Sequence, residues 1–488
     1  MPATRRDDLL VALAALLPLA VFLVRERVIA GAAGFPLDDS WIHVHFARNL
    51  AEGAGFSYNP GHPVAGSTAP LWTVLLAAAT VLAGSSLLVT KIVGVVLGVA
   101  AAIVTRRAAL AWGATDAAAL GAGVALAWTG AMAWGALSGM EVTLAALLVA
   151  GALLAHGRGA TWLTALCAAL AVLARPEAIV LVPLLCVAAR PTVRRVAIFI
   201  GVTALVLAPS VAFNLATIAA PFPATAAAKV EGGLLGWLAG VREPALLTWV
   251  VRPRAFVTDW VVWLYQTHPL LPLALPGIVL LWRRHGPRLA VPATELLLHP
   301  LAMALLAPYQ GPSFQEGRYS MHLLPIALVV LALAVPAAPR ARRVVLLVWL
   351  ALALLVLPRA AERYAWGVQN INAMQVHLGE WVARTLPHSA RIAVNDIGAI
   401  AYFSRREVID LMGLITPEIL PYRRRGERGV IEYVREQCPD FVIVFPTWFP
   451  ELTKQDWLME PMYSVWLENN RVSGGDEMVV YRLRRCAE

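Results

Sequence analysis

The sequence predicts a mainly α, polytopic membrane protein with a smaller, water-exposed α/β domain at its C-terminal end. Three observations carry this. Of 488 residues, 59% are hydrophobic and only 15% charged, a balance foreign to soluble domains. Apolar runs of helix length recur from Leu9 to Leu357. Beyond Arg359 the polarity becomes ordinary, and short β-type runs alternate with helical ones. A transmembrane domain at 1–358 and a second domain at 359–488 follow.

The expected spans lie near 9–29, 69–105, 117–136, 142–156, 161–174, 176–190, 195–216, 257–283, 288–307, 322–338 and 342–357, about eleven crossings in all. No small-residue cleavage site follows the first, which reads as a retained anchor. The formal charge of +9 does not point to nucleic acid, because the arginines cluster beside apolar spans: Arg106-Arg107, Arg194-Arg195, Arg283-Arg284 and Arg340 to Arg343. That is the bias of cytoplasmic turns. It places the N-terminus inside and the loops 37–69, 217–256 and 308–321 outside, together with the tail domain. Keeping Arg106-Arg107 and Arg158 inside requires 69–105 to make one net crossing and puts Glu141 outside; two crossings there would put Glu141 inside. Four cysteines form no metal pattern, and a bridge between Cys438 and Cys486 is open to an oxidising compartment.

The first external loop is a polar insert of some three dozen residues between two apolar segments, opening on Asp38 and Asp39. A helix fits from about Asp39 to Glu52, with Ile42, Phe46 and Leu50 as an apolar stripe suited to a membrane surface. Gly53 and Gly55 end it, and Asn59-Pro60-Gly61 makes a turn. One acid suffices to cap a helix; two at the mouth of an apolar span, where charge is costly, suit a general base acting on a hydroxyl. His43, one turn after Asp39, shares its face and suits a proton relay or simply a polar surface.

Further along, Glu141 sits between two apolar spans, as a catalytic acid or as a cap for the helix from Val142. Arg175-Pro-Glu177 interrupts an apolar run, and the two charges can pair at a helix end. Lysine occurs only three times, at Lys91, Lys229 and Lys454. Lys229 and Arg318-Tyr319 fall in external loops. They read either as snorkelling cations or as converging ligands of a lipid phosphate.

The tail domain opens with a helix near 362–386, followed by strands at 391–395, 408–411, 441–445 and 478–483 with helices between them. It has no phosphate loop or dinucleotide fingerprint. Asp396 and Asp410 read as turn or cap residues.

Asp38-Asp39-Ser-Trp-Ile-His, Ala47-Arg48-Asn49-Leu50-Ala-Glu-Gly-Ala-Gly-Phe56, Asn59-Pro60-Gly61 and Pro70-Leu-Trp72 resemble the first external loop of GT-C-fold glycosyltransferases. The likeness is greatest to the group containing the mycobacterial terminal arabinofuranosyltransferases. Ser138-Gly-Met-Glu141, Arg175-Pro-Glu177, Pro223-Ala-Thr225 with Lys229, Gly317-Arg-Tyr319 and Asn395-Asp-Ile-Gly398 follow in the order that family has; only the first-loop block is specific. The resemblance implies an inverting transferase of the bacterial plasma membrane. It would move a sugar from a polyprenyl-phosphate donor to an extracytoplasmic hydroxyl on a glycan, lipid or protein. The family's base carries over to Asp38 or Asp39, with Glu141 a further catalytic candidate and His43 a relay. Lys229, Arg318, Tyr319 and Arg175 would meet the donor phosphate. No cofactor is required, and a divalent cation is compatible with this chemistry. Ala224, Ala226 to Ala228 and His322 depart from the family pattern, which leaves sugar and acceptor open. The alternative is a non-catalytic transporter or flippase of a lipid-linked sugar.

Overall fold

A computed structural model describes residues 3–229, 232–238, 240–335 and 338–484. Among these, six helices are each long and apolar enough to cross a bilayer. A seventh crossing results if Asp116–Ala127 and Gly130–Leu137, bent by 54°, act as one. Other apolar segments are shorter helices, Val142–Gly157, Thr161–Ala174 and Pro176–Val187 among them. The helix Val193–Ile218 presents Ile200 and Leu205 at 65% and 76% exposure. Apolar surface on that scale is untenable in water and natural in lipid.

The stretch 69–105 resolves into two helices, Pro70–Ala83 and Leu87–Ala111. Both ends of the first adjoin the tail domain: Gly66 packs on Ile415 and Leu414, and Ser85 Oγ lies 3.0 Å from the Tyr402 hydroxyl. A helix that starts and ends on one side makes no net crossing. Only Leu87–Ala111 therefore traverses, and its far end meets the chain's beginning, where Arg106 bonds Asp7 and Asp8 at 2.7 and 2.9 Å. Arg106, Arg107 and Arg158 line one cavity on that face. The Ser138–Glu141 turn lies on the opposite face, against the first loop, where Ser40 Oγ donates to the Ser138 carbonyl at 2.6 Å and Trp72 Nε1 to that of Gly139 at 3.0 Å.

The tail domain is a five-stranded sheet in the order β2-β1-β3-β5-β4. Its strands are β1 (Arg391–Val394), β2 (Glu407–Asp410), β3 (Phe441–Val444), β4 (Met459–Trp466) and β5 (Glu477–Leu483). β2, β1 and β3 are parallel, and β5 joins β3 and β4 antiparallel. β3 is buried throughout, as a central parallel strand must be. Sequence patterning does not reveal β4, an edge strand that carries Pro461 and is mostly exposed. Cys438 is disulfide-bonded while Cys167 and Cys186 are free; Cys486 lies outside the described residues. No linker separates the domains: the helix Pro339–Ile371 passes through residue 358 and continues, by a π-helical turn at Asn372–Val376, into His377–Thr385.

The first-loop helix, Asp39–Ala51, does not lie on a surface. Residues 40–49 are all buried. Ile42 and Phe46 enter the apolar cluster of the tail domain, whereas Trp41, Val44 and Ala47 pack with Trp72, Leu76 and Leu144 of the membrane bundle. Of the stripe expected to face lipid, Ile42 and Phe46 face a protein domain instead, and Leu50 packs with the membrane bundle. Both faces are apolar, so periodicity alone could not distinguish the two coverings.

Candidate active site

The first loop clamps the tail domain at several points. The Tyr58 hydroxyl donates to the Ile397 carbonyl at 2.6 Å. Asn59 meets the Val408 backbone twice, Nδ2 donating to its carbonyl at 2.8 Å and Oδ1 accepting from its N–H at 2.9 Å. Arg48 Nη1 donates to the Tyr402 carbonyl at 2.8 Å. These contacts hold the end of the loop helix and the turn beyond it; at its start the two acids part company.

Asp38 turns toward the tail domain. Its side chain makes no cap on its own helix. It accepts instead from the N–H groups of Gly398 and Ala399, at 2.6 and 2.7 Å, at the start of the helix Gly398–Ser404. Gly398 is required there, since a Cβ would lie 2.1 Å from the Asp38 carbonyl oxygen. The contact falls just past the carboxyl end of β1, at the point where the strand order reverses, the crevice at which open α/β sheets take their ligands. Here a carboxylate of the membrane domain fills it. Asp396, also hydrogen-bonded to Asp38, accepts from Gln375 Nε2 at 2.7 Å. Burial raises the Asp38 carboxyl, and the charge of Asp396 adds to this against the two N–H donors. Burial also pushes Asp396 up to about 6. The two carboxyls share one buried site, so both are held up against ionising together.

Asp39 turns the other way. Its Oδ2 accepts from Arg318 Nη2 at 2.6 Å, and the same nitrogen donates to the Tyr319 hydroxyl at 3.1 Å. Burial alone would raise the Asp39 carboxyl, but the charges of Arg318 and Lys229 outweigh it and hold the group below its ordinary value. Lys229 follows the short helix Ala224–Ala228, which the Ala224 N–H ties to the Ala65 carbonyl of the first loop at 2.8 Å. Its ammonium lies 5.3 Å from the Tyr309 ring centroid, and no carboxylate stands within 4.0 Å among the described residues.

Arg318 is aimed by an unusual backbone. Gln315, Glu316 and Gly317 all have left-handed φ, at 51°, 63° and 81°, and Trp263 Nε1 anchors the turn by donating to the Glu316 carbonyl at 3.0 Å. A Cβ on Gly317 would meet the Trp263 ring at 2.1 Å. Strain of this kind persists only where the surroundings impose it.

Arg175 stacks on the Tyr319 ring, 4.4 Å from its centroid. It donates to Glu141 Oε1 and reaches Glu177 through Nε and Nη2 at 3.1 and 3.0 Å. His43 Nε2 stands 3.3 Å from Glu141 Oε2. The structure thus brings together Asp39, His43, Glu141, Arg175, Lys229, Arg318 and Tyr319, and it separates Asp38 from them. Sequence reading missed Asp396 as a partner of Asp38, and the intramembrane pair Lys91–Glu26 at 2.5 Å, whose glutamate also accepts from the Gly34 N–H at 2.9 Å. A lysine in an apolar span, in a chain with two others, was the signal for that pair. Among the described residues, no three His, Cys, Asp or Glu side chains are placed to share a metal ion.

A bundle of apolar helices with an α/β domain docked on its first long loop is the GT-C fold, and solved structures share it. In particular, the chain is similar to ArnT from Cupriavidus metallidurans bound to undecaprenyl phosphate, at 14% identity over 97% of this chain and 98% of that one, with a TM-score of 0.59. It is also similar to the archaeal oligosaccharyltransferase AglB from Archaeoglobus fulgidus in complex with an inhibitory peptide and a dolichol-phosphate, at 12% identity over 92% and 72%, with a TM-score of 0.58. A further structure of the Archaeoglobus enzyme, tethered to an acceptor peptide, aligns over 96% and 74% at 13% identity, with a TM-score of 0.59. A domain of unknown function, DUF8728, matches residues 369–481. No curated protein matches the chain.

Proposed function

We propose that this protein is an inverting membrane glycosyltransferase that moves a sugar from a polyprenyl-phosphate donor to an extracytoplasmic hydroxyl, with Asp39 as general base. One observation carries the reading: in a GT-C fold, a partly exposed carboxylate stands hydrogen-bonded to a buried arginine, with a lysine and a tyrosine hydroxyl beside it. A base needs access to its proton, and 29% of the Asp39 side chain is exposed. A departing phosphate needs buried cations, and Arg318 is 4% exposed. Asp39 therefore takes the acceptor's proton as that oxygen attacks the anomeric carbon, while Arg318, Lys229 and the Tyr319 hydroxyl hold the phosphate. Arg175, already shared by two glutamates, orients the Tyr319 ring rather than meeting the phosphate directly. Glu141 fixes Arg175 and His43 and is a positioning residue. Asp38 fastens the tail domain.

The donor carries a pentose or a hexose, and the acceptor is a cell-envelope glycan, a glycolipid or a protein. The test is transfer by the purified full-length protein from synthetic polyprenyl-phosphate sugars, pentosyl and hexosyl, in lipid nanodiscs. Asp39→Asn is expected to stop transfer while undecaprenyl phosphate still binds; transfer surviving in that variant would end the assignment of Asp39 as base.

A further inference from the structure

Arg318 is only half used. Nη2 serves both Asp39 and Tyr319, whereas Nη1 reaches only the Met140 sulfur at 3.9 Å, a weak acceptor. Its buried Nε has no partner among the described residues. A guanidinium offers five donors in a rigid fork, and burying unspent ones is costly unless something else takes them. Two cations, Arg318 and Lys229, moreover face the single carboxylate of Asp39.

We propose that Arg318 is a counter-ion shared in sequence: it holds Asp39 in the resting site and hands its hydrogen bonds to the donor phosphate as that phosphate arrives and then leaves. The inference rests on the glycosyl-transfer reading and specifies how the base is controlled. In the step, the acceptor O–H bond breaks and its proton goes to Asp39. The acceptor oxygen bonds to the anomeric carbon, and the bond from that carbon to the phosphate oxygen breaks with its electron pair staying on the phosphate. Asp39 goes from one negative charge to none, and the phosphate from one to two. The total is unchanged; one charge has crossed the guanidinium.

An arginine fixed on Asp39 alone would oppose this, since it favours the carboxylate over its protonated form. An arginine fixed on the phosphate alone would leave the base indifferent to whether a donor is present. Shared between them, it weakens the base in the empty site and releases it once the phosphate is seated. Other groups also face Asp39: Lys229 and His43 favour its charged form, and its charge in turn raises Asp38, Asp396 and the Tyr58 hydroxyl. None of these bonds it directly among the described residues, so Arg318 is the partner a phosphate can take away.

The test uses the full-length protein in nanodiscs, with undecaprenyl phosphate as probe and no sugar. The Asp39 carboxyl is titrated by infrared difference spectroscopy, wild type minus Asp39→Asn, with and without the lipid phosphate. The midpoint is expected to rise by at least one pH unit, a tenfold gain in proton affinity, when the probe binds. In Arg318→Lys, which keeps the charge but not the fork, less than half of that rise should remain. A wild-type midpoint that stays put with the probe bound overturns the sharing, as does a full rise in Arg318→Lys, which simple repulsion by the phosphate would give. Both outcomes leave the transferase reading standing. Failure of undecaprenyl phosphate to bind overturns the sharing and the lipid-phosphate site alike.

Discussion

The carboxylate of Asp38 and the N–H of Gly398, 360 residues apart in the chain, meet at 2.6 Å. That contact joins the two domains at the head of the loop that also carries Asp39, so adjacent acids have separable roles.

Asp38→Asn should therefore cost stability rather than chemistry. An amide oxygen can replace one of the two acceptors but not the charge, and loss of a charge-assisted bond to a buried N–H costs about 1–3 kcal/mol. The expected outcome is earlier thermal unfolding and faster proteolysis of the tail domain, with donor binding retained. Asp39→Asn should instead lower the transfer rate by about 10²–10⁴, the range for a lost general base, with the tail domain no more open to proteolysis than in the wild type.

Gly398→Ala puts a methyl group 2.1 Å from the Asp38 carbonyl oxygen, where neither backbone can yield cheaply. The helix Gly398–Ser404 would have to withdraw, at about 1–3 kcal/mol for overpacking. Hydrogen exchange should show the amides at positions 398 and 399 losing protection while β3 keeps its own.

Asp396 gives the domain junction a pH dependence. Its folded value of about 6 lies above the ordinary 3.8. The stabilisation is therefore complete below 3.8 and is lost as pH rises through about 6, with a span of about 2–3 kcal/mol for a shift of that size. Asp396→Asn can donate to Asp38 and accept from Gln375 at any pH. It should flatten the curve and be the more stable protein above pH 6, as thermal unfolding across pH 4–8 will show.

Glu141 is buried, at 1% side-chain exposure, and is held low against its burial by Arg175. Glu141→Gln leaves Arg175 with Glu177 as its only anionic partner and loosens the support behind Tyr319. Transfer should slow by about tenfold, roughly 1.4 kcal/mol. The acid limb of the pH–rate profile should stay where it is, since Asp39 still takes the proton; movement of that limb would make Glu141 a base in its own right.

Much of this was legible in the chain before any coordinates. Apolar runs marked the membrane domain, and β-type runs marked four of the five tail strands. The first loop announced itself by polarity, and the cations that reach Asp39 were suspect because charge is rare there. What stayed hidden was whatever depends on distant pairing. Asp38 and Asp39 carry the same chemistry one residue apart, and only the 100° turn between successive helical positions sends one to the tail and the other to Arg318. The covering of Ile42 and Phe46 could not be read either, since lipid and a protein core select the same side chains. Asp396 looked like a turn residue because its partner lies in another domain.

The run from Arg340 to Thr385 is 46 residues of nearly continuous helix, roughly 70 Å at the usual rise. A strut of that length works as a lever: a tilt of 5° at the membrane end would carry the other by about 6 Å, on the scale of one sugar ring. Movement of the tail domain is therefore geared to tilting of the bundle.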